Sequence, residues 1–258
     1  MTQTGVNAWA DLGDAVWRAD ELGGTPGATV ASGHSVLDAV LPGGGWPLEA
    51  LTELLQPPGL HAEWRLLLPA LVRLQQAGPG ALVLVGPPHV PFGPALQAQG
   101  LAPQRLLCVQ VLETQARLWA AEQALRCAGV QAVLAWLPQA RADHLRRLQV
   151  AAQAHHTPLF AIRPAPAQAE SSPAVLRLLL SWPEATSGPT QGAQPLCLQL
   201  LKRRGPPLLR RLLLPSQQGR LAAGLALPAP RPEFGLGLGL GLGRDGEGHA
   251  LDRLAAAA

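Results

Sequence analysis

The sequence predicts an α/β fold in which a mainly parallel sheet is flanked by helices and extended by C-terminal antiparallel strands. Between about residues 48 and 163, apolar runs of strand length alternate with helical patterns. After a loop rich in Pro, Ala and Ser, three more apolar runs follow with no room for helices between them. With 258 residues, 48% of them hydrophobic, the chain can bury a substantial core in one domain.

The alternating segment begins with the strand "ALTELL" and a helix from Ala62 to Gln76, which Pro69 should kink or interrupt. The alternation continues to residue 164, and it indicates parallel strands joined by right-handed crossovers. The further predicted strands are "ALVLVG" (81–86), "RLLCVQV" (105–111), "VQAVLAWL" (130–137) and "TPLFAIRP" (157–164), and the further helices cover 114–128 and 142–155.

The antiparallel strands are expected within about residues 174–214, in "AVLRLLLSW", "PLCLQLLKRRG" and "PPLLRRLLLP". The α/β domain as a whole is predicted to cover 31–218. Residues 1–30 form an arm with one helical fragment, "WADLGDAVWRADEL", whose tryptophans either pack on the core or bind a partner. Residues 219–258 are predicted to be a disordered tail, because alternating glycines such as "GLGLGLGLG" cannot offset their ordering entropy.

The cysteines and the overall charge indicate the compartment. Cys108, Cys127 and Cys197 are widely separated and form no C-x-x-C pair, which favours a reducing cytoplasm over a disulfide framework or a zinc site. A basic and apolar leader and an apolar run of about 18 residues are both missing from the sequence. We therefore expect a cytoplasmic protein without a metal or a membrane partner. The net charge of +3 does not by itself indicate nucleic acid.

The segment from Leu51 to Leu74, "LTELLQPPGLHAEWRLLLPALVRL", has the layout of a phosphate-binding loop. A strand leads through a Pro/Gly turn into a helix, whose free N–H groups and dipole favour an anion. The triplet that closes the loop is His61-Ala62-Glu63, where a nucleotide-binding loop has Gly-Lys-Ser or Gly-Lys-Thr. Two like charges ~4 Å apart cost about 4 kcal/mol at an effective dielectric near 20, so the carboxylate should repel phosphate.

Three stretches resemble the core of the RecA ATPase family over residues 31–163. They are "ASGHSVLDAVLPGGGWPLEALTELLQPPG", "RLLCVQ" and "AAEQALRCAGVQAVLAWL". The resemblance places the phosphate-binding lysine at Ala62, the hydroxyl at Glu63 and the Mg²⁺-binding Asp at Trp136. It places the catalytic Glu in "PPHVPFG" (87–93). All four positions are substituted, and phosphoryl transfer needs all four groups.

The resemblance therefore implies a degenerate ATPase, with no catalytic residue and no cofactor. The phosphate loop is expected to remain only as a structural connection that does not bind nucleotide, at Gly59, His61, Ala62 and Glu63. The Mg²⁺ site is expected to be lost at Trp136.

A second resemblance extends over nearly the whole chain. The stretches "VWRADEL" (16–22), "LPGGGWP" (41–47) and "LLKRRGPP" (200–207) are similar to the ImuA family. That family consists of RecA-like accessory proteins of the bacterial inducible mutagenesis cassette. The resemblance implies a non-catalytic role in SOS-induced translesion DNA synthesis. The implied partners are an ImuB-type inactive Y-family polymerase homologue, the replicative-type error-prone polymerase of the cassette, and RecA.

Basic residues are concentrated near the C-terminal strands, in a segment from 185 to 232 that contains no Asp or Glu. They could contact DNA phosphates or an acidic partner, or they could only protect a sheet edge from pairing. The absence of aromatic residues among them argues against stacking on single-stranded bases. The candidate contacts are Lys202, Arg203, Arg204, Arg210 and Arg211.

Two other functions remain open. One is a cell-division inhibitor of the SulA kind, also RecA-like without a phosphate loop, which would bind the tubulin-like division protein. The other is an NTPase with a divergent loop. The adjacent His155 and His156 point about 100° apart on a helix and are better explained by a helix-end dipole than by a metal. His34, Ser35 and Asp38 fit a local cap and turn better than a catalytic triad.

Overall fold

An eight-stranded sheet and a two-stranded sheet organise the residues that the structure, a computed structural model, describes: 27–183 and 195–215. The predicted N-terminal helix and the predicted tail from residue 219 lie outside these residues. The strands are β1 (Thr29–Val30), β2 (Trp46–Pro47), β3 (Leu51–Gln56), β4 (Ala81–Val85), β5 (Leu106–Val109), β6 (Val130–Trp136), β7 (Leu159–Pro164), β8 (Leu176–Ser181), β9 (Leu196–Lys202) and β10 (Leu212–Leu214).

Helices connect β3 to β4, β4 to β5, β5 to β6 and β6 to β7, and the helix between β4 and β5 was not predicted from the sequence. The helices are α1 (Ser35–Asp38), α2 (Glu63–Ala77), α3 (Gly93–Ala98), α4 (Thr114–Arg126) and α5 (Ala142–Ala154). Short 3₁₀ turns occur at Pro42–Gly44, Pro103–Arg105 and Ala165–Ala169. Among the described residues no helix is long and apolar enough to cross a membrane.

The strand order of the large sheet is β10-β9-β8-β3-β7-β6-β4-β5. The pairings from β8 through to β5 are all parallel, whereas β9 is antiparallel to both of its neighbours. The predicted fold class, a mainly parallel sheet flanked by helices and extended by antiparallel strands, is therefore confirmed.

The direction of β8 corrects one expectation within that class. The sequence pattern predicted antiparallel strands throughout about 174–214, but β8 runs parallel to β3. The chain leaves β7, passes over β3 through the turn at Ala165–Ala169, and enters the sheet on the far side of β3. Because this connection is a crossover and not a hairpin, it preserves the strand direction. The run "PPLLRRLLLP" also contributes less than predicted, since only Leu212–Leu214 is a strand.

The two faces of the sheet are covered by different helices. The first face packs Leu54, Leu84 and Leu134 with the buried side of α2, and the second face packs Val83 and Ala135 with α4 and α5. Each strand alternates its side chains between the two faces, and β4 and β6 are apolar on both sides. That double burial explains why they appear in the sequence as continuous apolar runs.

Helix α2 continues through Pro69, which was expected to kink or interrupt it. Leu66, Leu67 and Leu71 are fully buried on both sides of the proline, so tertiary packing holds the two halves in one helix. Pro69 also lies against the backbone of Gly33, where a Cβ atom would come within 2.4 Å of the proline Cβ. The φ of +86° at Gly33 favours glycine for a second reason.

The motif "LPGGGWP" forms a tight turn that leads into β2. Gly43 and Gly44 have left-handed φ angles of 73° and 74°. At Gly45 a Cβ atom would lie 2.2 Å from the carbonyl oxygen of Val30, so only glycine fits there. Trp46 is fully buried and meets the ring of Phe160 edge to face at 5.8 Å. The glycines therefore shape a structural turn beside a packed tryptophan.

Candidate functional site

The loop between β3 and α2, residues 57–62, borders a cleft at the carboxyl ends of β3, β6 and β7. In parallel α/β sheets this edge is where ligands bind. Gly59 has a φ of +78°, which gives the loop its sharp turn. The cleft has a volume of about 340 Å³ and is bordered mainly by apolar and proline side chains. Its lining includes Gly59, Leu60, His61, Pro88, Arg117, Trp136, Pro138, Ile162 and Arg163.

The loop is closed by its own side chains. The Nε2 atom of Gln56, at the end of β3, donates to Oε2 of Glu63 at 3.0 Å, and the backbone N–H of Ala62 donates to Oε1 of Gln56 at 3.4 Å. Glu63 is 2% exposed, and Leu60 and Ala62 are also buried. The N-terminal end of α2 thus already holds a negative charge, which its dipole stabilises. A phosphate placed there would have to displace this carboxylate or lie against it.

Trp136 lies at the end of β6, where the resemblance to RecA places a Mg²⁺-binding Asp. It is 7% exposed and packs in the core of the first face. Its main-chain oxygen accepts a hydrogen bond from Arg117 Nη1 at 2.9 Å, and Arg117 Nε donates to the oxygen of Val111 at 3.0 Å. The indole Nε1 has no hydrogen-bond partner among the described residues. An indole offers no oxygen ligand to a hard cation such as Mg²⁺.

The segment that replaces the catalytic Glu region runs over the same cleft. Gly86 has a φ of +61° and lies against the guanidinium group of Arg117. Farther along, the ring of His89 meets that of His61 edge to face, with centroids 5.1 Å apart. The structure thus brings together three predicted positions, Gly59, His61 and Trp136, at one cleft. Arg117, Gln56 and His89 were missed, because their roles depend on contacts between distant segments.

A buried ionic network lies beside this cleft, on the second face of the sheet. Glu53 of β3 is fully buried, and its two oxygens accept from Arg163 Nη1 of β7 at 2.7 Å and from Arg177 Nε of β8 at 2.6 Å. Arg163 Nη2 also contacts Glu170 Oε2 at 2.7 Å, and Arg177 Nη2 donates to the oxygen of Ala167 at 2.8 Å.

Burial lowers the pKa of the Arg163 guanidinium, but the hydrogen bonds that it donates to Glu53 and Glu170 outweigh burial, and the net pKa is raised. Arg163 therefore stays charged. Its guanidinium is paired with these two carboxylates, so we interpret the network as structural support for the crossover between β7 and β8.

The basic residues near β9 and β10 divide into two groups. Lys202 donates to the oxygen of Ser172 at 3.0 Å, and burial lowers its pKa, as does the neighbouring charge of Arg177. Arg203 donates to the main-chain oxygens of Pro206, at 2.8 Å, and of Val40. The side chains of these two residues therefore hold neighbouring segments of the chain together. Arg204, Arg210 and Arg211 are exposed and remain candidates for contact with DNA or an acidic partner.

The segments "LPGGGWP" and "LLKRRGPP" lie close together in the structure. The hydrogen bond from Arg203 to Val40 joins "LLKRRGPP" to the residue before "LPGGGWP". A second cavity of about 510 Å³ is lined by parts of both motifs. Its lining includes Pro42, Gly45, Pro47, Glu49, Gln149, Gln153 and Arg204.

The remaining candidates have local roles. Asp38 Oδ1 accepts from the backbone N–H of Ser32 at 2.8 Å, and His34 precedes the first residue of α1 as its N-cap. His156 Nδ1 lies 2.9 Å from Glu49 Oε1 at the surface. Within 27–183 and 195–215, no group of three or more His, Cys, Asp or Glu residues is placed to hold a metal ion.

Comparison with known proteins finds similar chains among solved structures. No family model and no curated protein matches the chain. Among solved structures, the crystal structure of SulA from Pseudomonas aeruginosa is similar to part of it, with 28% sequence identity and a TM-score of 0.38. The match covers 44% of this chain and 97% of the SulA chain.

Proposed function

We propose that this protein is a non-catalytic RecA-like binding module that acts in SOS-induced translesion DNA synthesis. Its role would be to recruit or remodel the partners of a mutagenesis complex. Those partners are the ImuB-type inactive Y-family polymerase homologue, the replicative-type error-prone polymerase of the cassette, and RecA.

The contact between Gln56 and Glu63 carries the non-catalytic part of the proposal. The buried carboxylate of Glu63, hydrogen-bonded to Gln56, takes the position in which a nucleotide-binding loop presents a hydroxyl, and Ala62 takes the position of the lysine. Trp136 at the end of β6 supports the same interpretation, because it supplies no oxygen ligand. Chemistry on a phosphate requires electrostatic stabilisation of the transferring group, and Glu63 opposes it.

The assignment to translesion synthesis depends on the sequence motifs similar to the ImuA family. Two of those motifs border one cavity, which supports the assignment, because residues far apart in the sequence share one structural neighbourhood. Arg204 belongs to that neighbourhood and is exposed, so it is available to a partner.

Co-purification tests the assignment. The tagged protein should retain the inactive polymerase homologue, the error-prone polymerase or RecA from cells in which all three and the tubulin-like division protein are present. Capture of the division protein with none of the three would overturn the proposal in favour of a SulA-like division inhibitor.

Direct DNA contact is tested separately. An Arg204→Ala/Arg210→Ala/Arg211→Ala variant should lose affinity for a DNA oligonucleotide and show a weaker salt dependence, because fewer counterions are released. The matched control is Arg73→Ala, an arginine on α2 that contacts the oxygen of Ala31. Equal affinity in the triple variant and the control would remove DNA from the proposal.

A further inference from the structure

β5 forms one edge of the large sheet, so one side of its backbone has no neighbouring strand among the described residues. The carbonyl oxygen of Val109 accepts from the N–H of Gly86 at 2.9 Å, which directs the main chain of Val109 towards β4. Main-chain groups point to alternate sides along an extended strand. The N–H and C=O groups of Cys108 therefore point away from the sheet, where a further strand could pair with them.

The side chains of β5 are also more exposed than those of the inner strands. Leu107 lies in register with Val83, on the face covered by α4, yet it is 54% exposed. Cys108 is exposed on the opposite face. Just beyond the strand, Leu112 is 89% exposed. An edge strand that presents leucines to water is an energetic liability unless something covers it.

Three exposed residues thus lie on or directly after the edge strand. Together, Leu107, Cys108 and Leu112 form what we call the β5 edge surface.

The β5 edge surface lacks the usual protection against pairing. From Leu106 to Leu112 the sequence contains no charged residue and no proline. The preceding Arg105 points inward, and its Nη2 contacts Gly80 O at 2.6 Å and Gln131 Oε1 at 2.8 Å. The opposite edge strand, β10, has this protection, because it is only three residues long and is flanked by Arg211 and Pro215.

We propose that the β5 edge surface pairs with the same surface of a second copy of this chain, giving a two-fold dimer in which the two β5 strands are antiparallel. A strand without charge can face itself without placing like charges opposite one another. A two-fold axis at Cys108 sets the outward main-chain groups of Cys108 opposite their equivalents and places Leu107 opposite Val109 of the other copy. Such a contact closes on itself and leaves neither edge free. This dimer is independent of the function proposed above.

Cross-linking at cysteine tests the geometry. A Cys127→Ser variant keeps Cys108 as its exposed thiol among the described residues, and a Cys108→Ser variant keeps Cys127. A short bismaleimide should give a covalent dimer with the first variant and not with the second. Equal dimer yields from the two variants, or no dimer from either, would overturn the proposed pairing.

The oligomeric state tests the surface. Sedimentation of the full chain should show a monomer–dimer equilibrium, and Leu107→Lys should raise the dimer dissociation constant by at least about tenfold. Cys108→Pro should act in the same direction, because it removes an outward N–H without touching the pairing with β4. Leu213→Lys is the matched control, since Leu213 is 55% exposed on the other edge strand, and it should leave the equilibrium unchanged. A wild-type monomer at all concentrations, or equal weakening by Leu213→Lys, contradicts the proposal.

Discussion

The two halves of the large sheet distribute charge and hydrophobicity in opposite ways. In the half formed by β3, β7 and β8, ionised side chains lie in the interior, with Glu53 fully buried between Arg163 and Arg177. In the half that ends at β5, apolar side chains such as Leu107 lie in water. The first arrangement is satisfied within the chain, because each buried charge has a partner of opposite sign. The second arrangement is not satisfied within the described residues, and it is where we expect a partner to bind.

The largest effect is expected from Glu53→Ala. The substitution leaves two buried guanidinium groups without their shared carboxylate, and breaking a buried pair in this way costs about 3–5 kcal/mol of unfolding free energy. Urea denaturation measures the change. Glu49→Ala is the matched control, because its pair with His156 is exposed and should contribute at most about 1 kcal/mol. If the two variants lost equal stability, the buried network would not stabilise this half of the sheet as proposed.

A smaller effect is expected from Glu63→Ala at the closed loop. Gln56 is 7% exposed, and its Nε2 would lose its acceptor, at a cost of about 1–3 kcal/mol. Glu63→Gln keeps an acceptor oxygen and should recover part of the loss. A Glu63→Ala variant as stable as the wild type would show that the loop is not held by this contact.

The stability should also depend on pH through His34. Burial lowers the pKa of His34 below its ordinary value of 6.5, so the unfolded chain binds the proton more readily. The stabilisation is complete above pH 6.5 and is lost as the pH falls towards the folded pKa. Melting curves between pH 7.5 and 5.5 should therefore show a weaker pH dependence for His34→Gln than for the wild type. Identical slopes would contradict this assignment.

The smallest effect on folding is expected at the β5 edge surface. Because Leu107 is more than half exposed, Leu107→Lys should change the unfolding free energy of the monomer by less than about 0.5 kcal/mol. The measurement is made at concentrations where both proteins are monomeric. A loss comparable to that of Glu53→Ala would mean that Leu107 belongs to the core and not to a surface for a partner.

Particular residues show what the sequence could predict. The strands β4 and β6 were recognisable because burial on both faces leaves nearly continuous apolar runs. The direction of β8 was not, because strand direction depends on a connection that passes over β3 and no local pattern records it. Glu53 stands inside an apolar run, and its partners lie 110 and 124 residues away. The run "RLLCVQV" has the composition of an inner strand, so its place at the exposed edge emerges only from the topology.

At the candidate site, the residue types could be interpreted from the sequence, but the contacts between those residues could not be predicted. The resemblance to RecA implied that Ala62, Glu63 and Trp136 stand where phosphate and Mg²⁺ ligands belong. It did not indicate that Gln56 would join Glu63 across the loop, because that contact depends on the turn at Gly59. The division of the basic residues into Lys202 and Arg203, which fasten the chain, and three exposed arginines also required the structure.

The central claim is that the loop after β3 has a structural role and does not bind nucleotide. A thermal-shift titration with ATP, ADP and a non-hydrolysable analogue in the presence of Mg²⁺ tests this claim most directly. A ligand at 100 times its Kd stabilises a protein by about 2.7 kcal/mol, which is readily measured as a rise in Tm. We predict no shift up to millimolar nucleotide. A concentration-dependent rise in Tm that Glu63→Ala increases further would show that this loop binds nucleotide, and it would contradict the account.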